Sequence, residues 1–338
     1  MLIVLVWAVY FINPLDVNSV FDSSINPDNV NITFTGDVMM GRGVDKHIKE
    51  NRNVFAGIIN LTKSSDLTVI NLESPLTDSN DGINKEILLK TNPSYTNIIK
   101  EAGIDLATLA NNHIVDYGTT GLFDTMNNLK NNGIDYVGAG ANIVDSNKPV
   151  YYTIKDKKIA VISASEFDGP NCPAATQNTA GFTPLTSNYL KQAIDEAKIQ
   201  NADYIICNFH FGQEYVNTAS EFQKKMAYEA IDQGAYAVIG NHPHVTQSIE
   251  NYKGKLICYS LGNTVFDQVL PGTKESIIVV LNINNNTPSL EIYPMKIVGT
   301  YPQLMNTEES KNYLDKVQSY STNVTIENKD TGIGIINF

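Results

Sequence analysis

Three times in this chain a helix-like stretch runs into a glycine and then into an apolar run: residues 93–102 meet Gly103, 120–132 meet Gly133, and 220–233 meet Gly234. Glycine there suits the left-handed conformation that closes a helix, and Ser220 with Gln223 reads as a capping box opening the third. Strand-like runs lie at residues 159–163, 204–209, 237–239 and 256–261. Helices and strands in alternation imply an α/β domain, because each helix buries its apolar stripe on a sheet face. Beyond Ser276 the expectation changes to strands with little helix, at residues 276–283 and 290–293, forming an antiparallel edge or second sheet.

Four of the five histidines fall directly after apolar runs, in Ala110-Asn111-Asn112-His113, Asn208-Phe209-His210-Phe211-Gly212 and Gly240-Asn241-His242-Pro243-His244. One histidine after a strand is commonly a surface or hydrogen-bonded core residue. Three clusters in one register point to a metal site, because strand ends converge on one rim of a sheet and imidazole is the commonest ligand for divalent transition metals. Asp37 and Glu73 occupy the same register after residues 32–36 and 67–72. Alone, Asp37 reads as a turn or cap acid and Glu73 as a rim charge. Together they would repel and be costly to desolvate unless a cation neutralised them. Nitrogen and oxygen donors without cysteine suit manganese, iron or zinc.

Two long polar connections, residues 74–93 and 163–184, leave this rim. Their length and origin fit substrate-covering loops or mobile surface excursions.

These residues carry a resemblance. The stretches Gly36-Asp37-Val38-Met39-Met40-Gly41-Arg42, Asn71-Leu72-Glu73-Ser74-Pro75-Leu76-Thr77, Ala110-Asn111-Asn112-His113-Ile114-Val115-Asp116-Tyr117-Gly118, His210-Phe211-Gly212-Gln213-Glu214-Tyr215, His242-Pro243-His244-Val245 and Ser260-Leu261-Gly262-Asn263 are similar, in order, to those of the CapA or poly-gamma-glutamate synthesis family. That family belongs with the calcineurin-like metallophosphoesterases. The resemblance covers about residues 32–268 and implies a metallophosphoesterase-like, calcineurin-like sandwich of two sheets flanked by helices. It implies one or two divalent ions. Asp37 and His244 would hold the first, Asn112, His210 and His242 the second, and Glu73 would bridge. His113 would be the general acid. Two cations roughly 3.5–4 Å apart can clamp a phosphoryl group for in-line attack.

The chain departs from the wider superfamily at three places. Met39 stands where a histidine usually follows the first aspartate by two, Glu73 replaces an aspartate, and Phe211 replaces a tryptophan. CapA-like sequences share the first two, which weakens the inference of ordinary phosphatase chemistry. Arg42 has two readings, a catalytic cation facing an anionic substrate or an ion pair with Asp37 or Glu73.

The 338 residues carry a formal charge of −12 and no basic stripe, which argues against a nucleic-acid partner and would also repel a polyanionic capsule polymer unless contact is local or cation-mediated. Three cysteines make no disulfide framework; Cys207 and Cys258 fall in apolar strands and Cys172 in a loop. Residues 1–12 are almost wholly apolar before Asn13-Pro14, too short for a complete span of roughly 20 residues. They resemble the end of a signal anchor; the alternative is an element packed on the domain.

The organisation expected is an apolar segment and linker over 1–28, a catalytic-type domain over 29–300 and a tail over 301–338, tethered to the outer face of a bacterial membrane. Two functions follow from the resemblance. One is a metal-dependent phosphoesterase or related hydrolase acting on a capsule polymer or envelope phosphoester. The other is a non-catalytic, metal-containing assembly or polymer-binding factor in a membrane capsule-synthesis complex.

Overall fold

The computed structural model describes residues 29–50, 52–284, 288–328 and 331–338. The strands are β1 (Val30–Val38), β2 (Leu67–Leu72), β3 (Leu106–Thr108), β4 (Asp135–Val137), β5 (Ala139–Gly140), β6 (Val150–Ile154), β7 (Lys157–Ser165), β8 (Gly181–Phe182), β9 (Tyr204–His210), β10 (Ala237–Asn241), β11 (Ile249–Tyr252), β12 (Lys255–Cys258), β13 (Asn263–Val265), β14 (Glu275–Ile283), β15 (Ser289–Val298), β16 (Tyr301–Leu304), β17 (Glu327–Asn328) and β18 (Gly334–Asn337). The helices are α1 (Arg42–Lys49), α2 (Ile59–Ser64), α3 (Thr96–Glu101), α4 (Gly118–Asn131), α5 (Ile143–Ser146), α6 (Ser187–Ile199), α7 (Glu221–Asp232) and α8 (Thr307–Tyr320).

Two large sheets face each other, and the expected sandwich is what the chain forms. In the first, the order is β17-β18-β15-β14-β1-β2-β3-β4, with β13 on β1 and β16 on β15; in the second it is β11-β12-β10-β9-β7-β6. Strands β1 to β4 run parallel to one another, as do β7, β9, β10 and β12. The antiparallel strands after Ser276, β14 and β15, extend the first sheet beyond β1.

Period-two alternation sorts each strand's residues between two cores. Phe34, Val69, Val161, Ile206 and Ile239 fill the space between the sheets, while Cys207, Phe209 and Val238 pack outward with Leu190 and Ile194 of α6 and Met226 of α7. Both faces are therefore apolar, which is why these strands read as near-continuous hydrophobic runs. Truncating Phe34, which is fully buried, to alanine should cost about 3–5 kcal/mol.

The helix ends obey the glycine signals. Gly103, Gly133 and Gly234 follow α3, α4 and α7 with φ of 78°, 67° and 105°, where a side chain would be strained. Ser220 and Gln223 make both bonds of the capping box. Residues 301–338 hold β16, α8, β17 and β18, and Tyr313, Leu314 and Val317 of α8 enter the core between the sheets. That 14-residue helix departs from the expectation of strands with little helix; Asn306 and Glu309 form its capping box. Cys207 and Cys258 are buried free thiols. The apolar stretch at 1–12 lies outside the described residues, and among those described no helix is long and apolar enough to cross a membrane.

Candidate metal centre

Parallel strands deliver their C-terminal ends to one rim, and a bulge in β1 aims the first acid. In an unbroken strand Phe34 and Asp37 would face opposite ways. The register shifts between them, so both face the second sheet. Gly36 makes the shift possible, since a Cβ there would lie 1.8 Å from the Gly262 carbonyl oxygen. The Asp37 N–H then donates to that same carbonyl at 3.0 Å.

Two buried groups of donors result: Asp37, Glu73 and His244, and Glu73, His210 and His242, each with ligand atoms within 4.8 Å of one another. Glu73 belongs to both. In the first group His244 Nδ1 lies 3.2 Å from Asp37 Oδ2 and Nε2 lies 3.8 Å from Glu73 Oε1. In the second, His210 Nε2 lies 3.6 Å from Glu73 Oε1, 3.1 Å from His242 Nδ1 and 2.9 Å from Asn112 Oδ1. Asn112 thus adds an amide oxygen to that group. His242 and His244 flank Pro243 with φ of 101° and 58°, a conformation that costs roughly 1–3 kcal/mol per residue and persists only where the surroundings impose it.

The electrostatics fit a divalent cation. Both carboxylate oxygens of Glu73 are buried without a hydrogen-bond partner, which native structures rarely tolerate without a compensating group. Burial, then the nearby Asp37 charge, raises the Glu73 carboxyl well above its ordinary range. Burial, reinforced by neighbouring histidines, holds His210 and His242 well below theirs, leaving neutral imidazoles with lone pairs to offer. No thiol competes: the Cys172 Sγ donates to the Asn112 carbonyl at 3.2 Å, and burial pushes that thiol up to about 12.

His113 lies beside the donors with its Nδ1 2.7 Å from Asp116 Oδ2. An Nδ1–H donated to Asp116 leaves Nε2 as the free atom. Burial lowers the His113 pKa against the opposing pull of Asp116. Asp116 is itself saturated: Lys85 Nζ reaches Oδ1 at 2.8 Å, and the Leu89 N–H donates to Oδ2 at 2.7 Å. Lys85 also donates to the Asn112 carbonyl at 2.6 Å. The connection after β2 is therefore knitted to the His113 turn.

Arg42 does not pair with Asp37 or Glu73. Its guanidinium binds Asp267, whose other oxygen accepts the Gly43 N–H at 3.0 Å. The reason is local: α1 starts at Arg42 with φ of 50°, and the long side chain lies over Phe266, 5.7 Å from the ring centre, with 41% of it exposed. Met39 is fully buried and its Sδ accepts the Gly41 N–H at 3.0 Å, so this position serves the core.

Sequence reasoning missed four supporting residues. Asn71 Nδ2 donates to Asp37 Oδ1 at 2.8 Å and lies 3.2 Å from His210 Nδ1, tying the two groups together. Asn263 Oδ1 accepts from His244 Nδ1 at 2.9 Å, which turns Nε2 toward Glu73. Asp116 and Lys85 hold His113. Asn71 precedes Glu73 by two, and Asp116 follows His113 by three, so both offsets were available as signals.

The bacterial capsule synthesis protein family PGA_cap matches residues 31–268. The PGA biosynthesis protein CapA of Bacillus subtilis (strain 168) is 33% identical over 290 residues, covering 84% of this chain and 76% of its own length. The capsule biosynthesis protein CapA of Bacillus anthracis is 35% identical over 299 residues, covering 84% and 72%. A solved structure described as the calcineurin-like phosphoesterase YfkN from Bacillus subtilis is 14% identical and covers 82% of this chain and 88% of that one with a TM-score of 0.43.

Proposed function

We propose, from the premise that this chain belongs to the bacterial capsule synthesis protein family PGA_cap, that it is a divalent-metal-dependent phosphoesterase or related hydrolase serving poly-gamma-glutamate or capsule synthesis at the cell envelope. The observation that carries the reading is Glu73, a fully buried carboxylate with no hydrogen-bond partner, shared by two donor groups. Asp37, Glu73 and His244 would hold one ion, and Glu73, His210, His242 and Asn112 the other. Bound there, manganese, iron or zinc would neutralise the acids and polarise a phosphoryl oxygen.

The chain's own residues supply the rest. Asn71 fixes the Asp37 carboxylate, and Asn263 fixes the His244 ring. Asp116 accepts the His113 Nδ1–H and favours the cationic ring, whose Nε2 proton can pass to a departing oxygen. Lys85 balances the Asp116 charge. Its loop closes one side of the cluster, and Phe167, whose ring lies 4.1 Å from that of His242, closes another.

Met39 favours a second reading. With a core methionine where a ligand histidine would stand, the first group has three donors, as a structural or polymer-binding site in an assembly factor could have. Metal content of the purified protein, measured with phosphoesterase turnover under manganese, iron and zinc, separates the two. Tightly held metal without turnover would support the assembly factor; absence of metal would defeat both.

A further inference from the structure

Resting on the phosphoesterase reading, we propose that this site selects a phosphodiester monoanion over a phosphomonoester dianion. A dianion held against metals and ligating carboxylates needs further cations on the rim. The cations bordering this cluster, Lys85 and Arg42 among the described residues, are already paired. Lys85 Nζ is engaged by Asp116 and the Asn112 carbonyl, with 16% of its side chain exposed. Arg42 is held by Asp267.

An acid, Glu214, and aromatic rings lie beside the cluster instead. Glu214 is half-buried, and after burial its charge helps to hold the Tyr215 hydroxyl and the Glu73 carboxyl above their ordinary ranges. Phe167 lies against His242 and 5.9 Å from the His210 ring, while its sequence neighbours Glu166 and Asp168 accept the Gly212 and Ala174 N–H groups at 2.8 and 3.0 Å. Phe266 and Tyr215 lie 5.0 and 6.1 Å from the His244 ring. Such walls accept an ester substituent that is apolar or cationic, and they repel a second phosphate charge.

In the hydrolysis, oxygen from water forms the new bond to phosphorus and the ester P–O bond breaks. The departing oxygen takes the Nε2 proton of the cationic His113 ring, the proton given up by the water restores that ring, and the phosphomonoester then loses its own proton to solvent. The products are an alcohol and a phosphomonoester, whose second charge favours release from a site beside Glu214.

The test compares bis(p-nitrophenyl) phosphate with p-nitrophenyl phosphate on the manganese-loaded full chain. In parallel, calorimetry measures binding of phenylphosphonate and its monomethyl ester. The diester should be favoured at least 10-fold in kcat/KM, and the monoester phosphonate should bind more tightly than the dianion. Glu214→Gln, removing one nearby charge, should shift both ratios toward the dianion by about 3- to 10-fold. Asp267→Asn, which frees Arg42, should shift them the same way. Preference for the dianion, or ratios that neither substitution moves, would overturn the inference. If neither ester turns over while metal is bound, the phosphoesterase reading fails, and the calorimetric order alone decides the charge selectivity.

Discussion

Glu73→Gln should reverse its effect on stability according to whether metal is present. In the metal-free protein the folded-state pKa of Glu73 is raised well above 4.5. Above pH 4.5 the unfolded chain gives up this proton while the folded chain retains it, so wild-type stability falls as pH rises toward the folded pKa. The slope is up to about 1.4 kcal/mol per pH unit, and glutamine removes it. Chelated Glu73→Gln should therefore melt higher than chelated wild type at pH 7, and the two should converge as pH approaches 4.5. With metal the order inverts. Each ion held at a hundredfold excess over its Kd adds about 2.7 kcal/mol, roughly 5 °C for a chain of this size. Because Glu73 serves both groups, its loss should remove both ions, whereas His244→Ala should spare the second. Calorimetric melting from pH 4.5 to 8 with and without manganese, alongside elemental analysis, checks each part. Retention of both ions by Glu73→Gln, or a lower melting point than wild type in chelator at pH 7, would refute the reasoning.

His113→Ala should leave metal content unchanged and slow hydrolysis of alkyl esters by about 100- to 10,000-fold, with a smaller loss on esters whose leaving group needs little protonation; equal losses on both classes would remove His113 from the acid role. Since burial holds His210 and His242 well below 6.5, the unfolded chain binds protons first as pH falls below that value, so metal-free stability due to these rings declines there; His210→Ala should flatten that decline in a pH series of melts. Gly36→Ala, whose Cβ would meet the Gly262 oxygen, should cost about 1–3 kcal/mol in denaturant unfolding and lower metal content through displacement of Asp37. The full-length gene product should fractionate with membranes, and protease added to wall-stripped cells should digest residues beyond about 20; protected, cytosolic protein would refute the envelope location.

The chain's local rules were legible because they depend on neighbours within a few residues. Apolar runs gave the strands, glycines 103, 133 and 234 marked helix ends, and histidines after strands marked the rim. The helix Thr307–Tyr320 was equally local, with buried Ser310, Tyr313, Leu314 and Val317 one face apart, yet it was overshadowed by the strand pattern preceding it. The sequence by itself thus determined the α/β grammar and the placing of acids and histidines at or after strand ends. Only the tertiary structure decided who meets whom there. Arg42 finds Asp267 across 225 residues, Asn71 bridges Asp37 and His210, and Lys85 settles on Asp116. A single bulge between Phe34 and Asp37 turns the first acid toward the second sheet. The physical reason is that strand period and helix caps are short-range preferences, whereas partner choice among buried charges is set by register and by how closely two sheets pack.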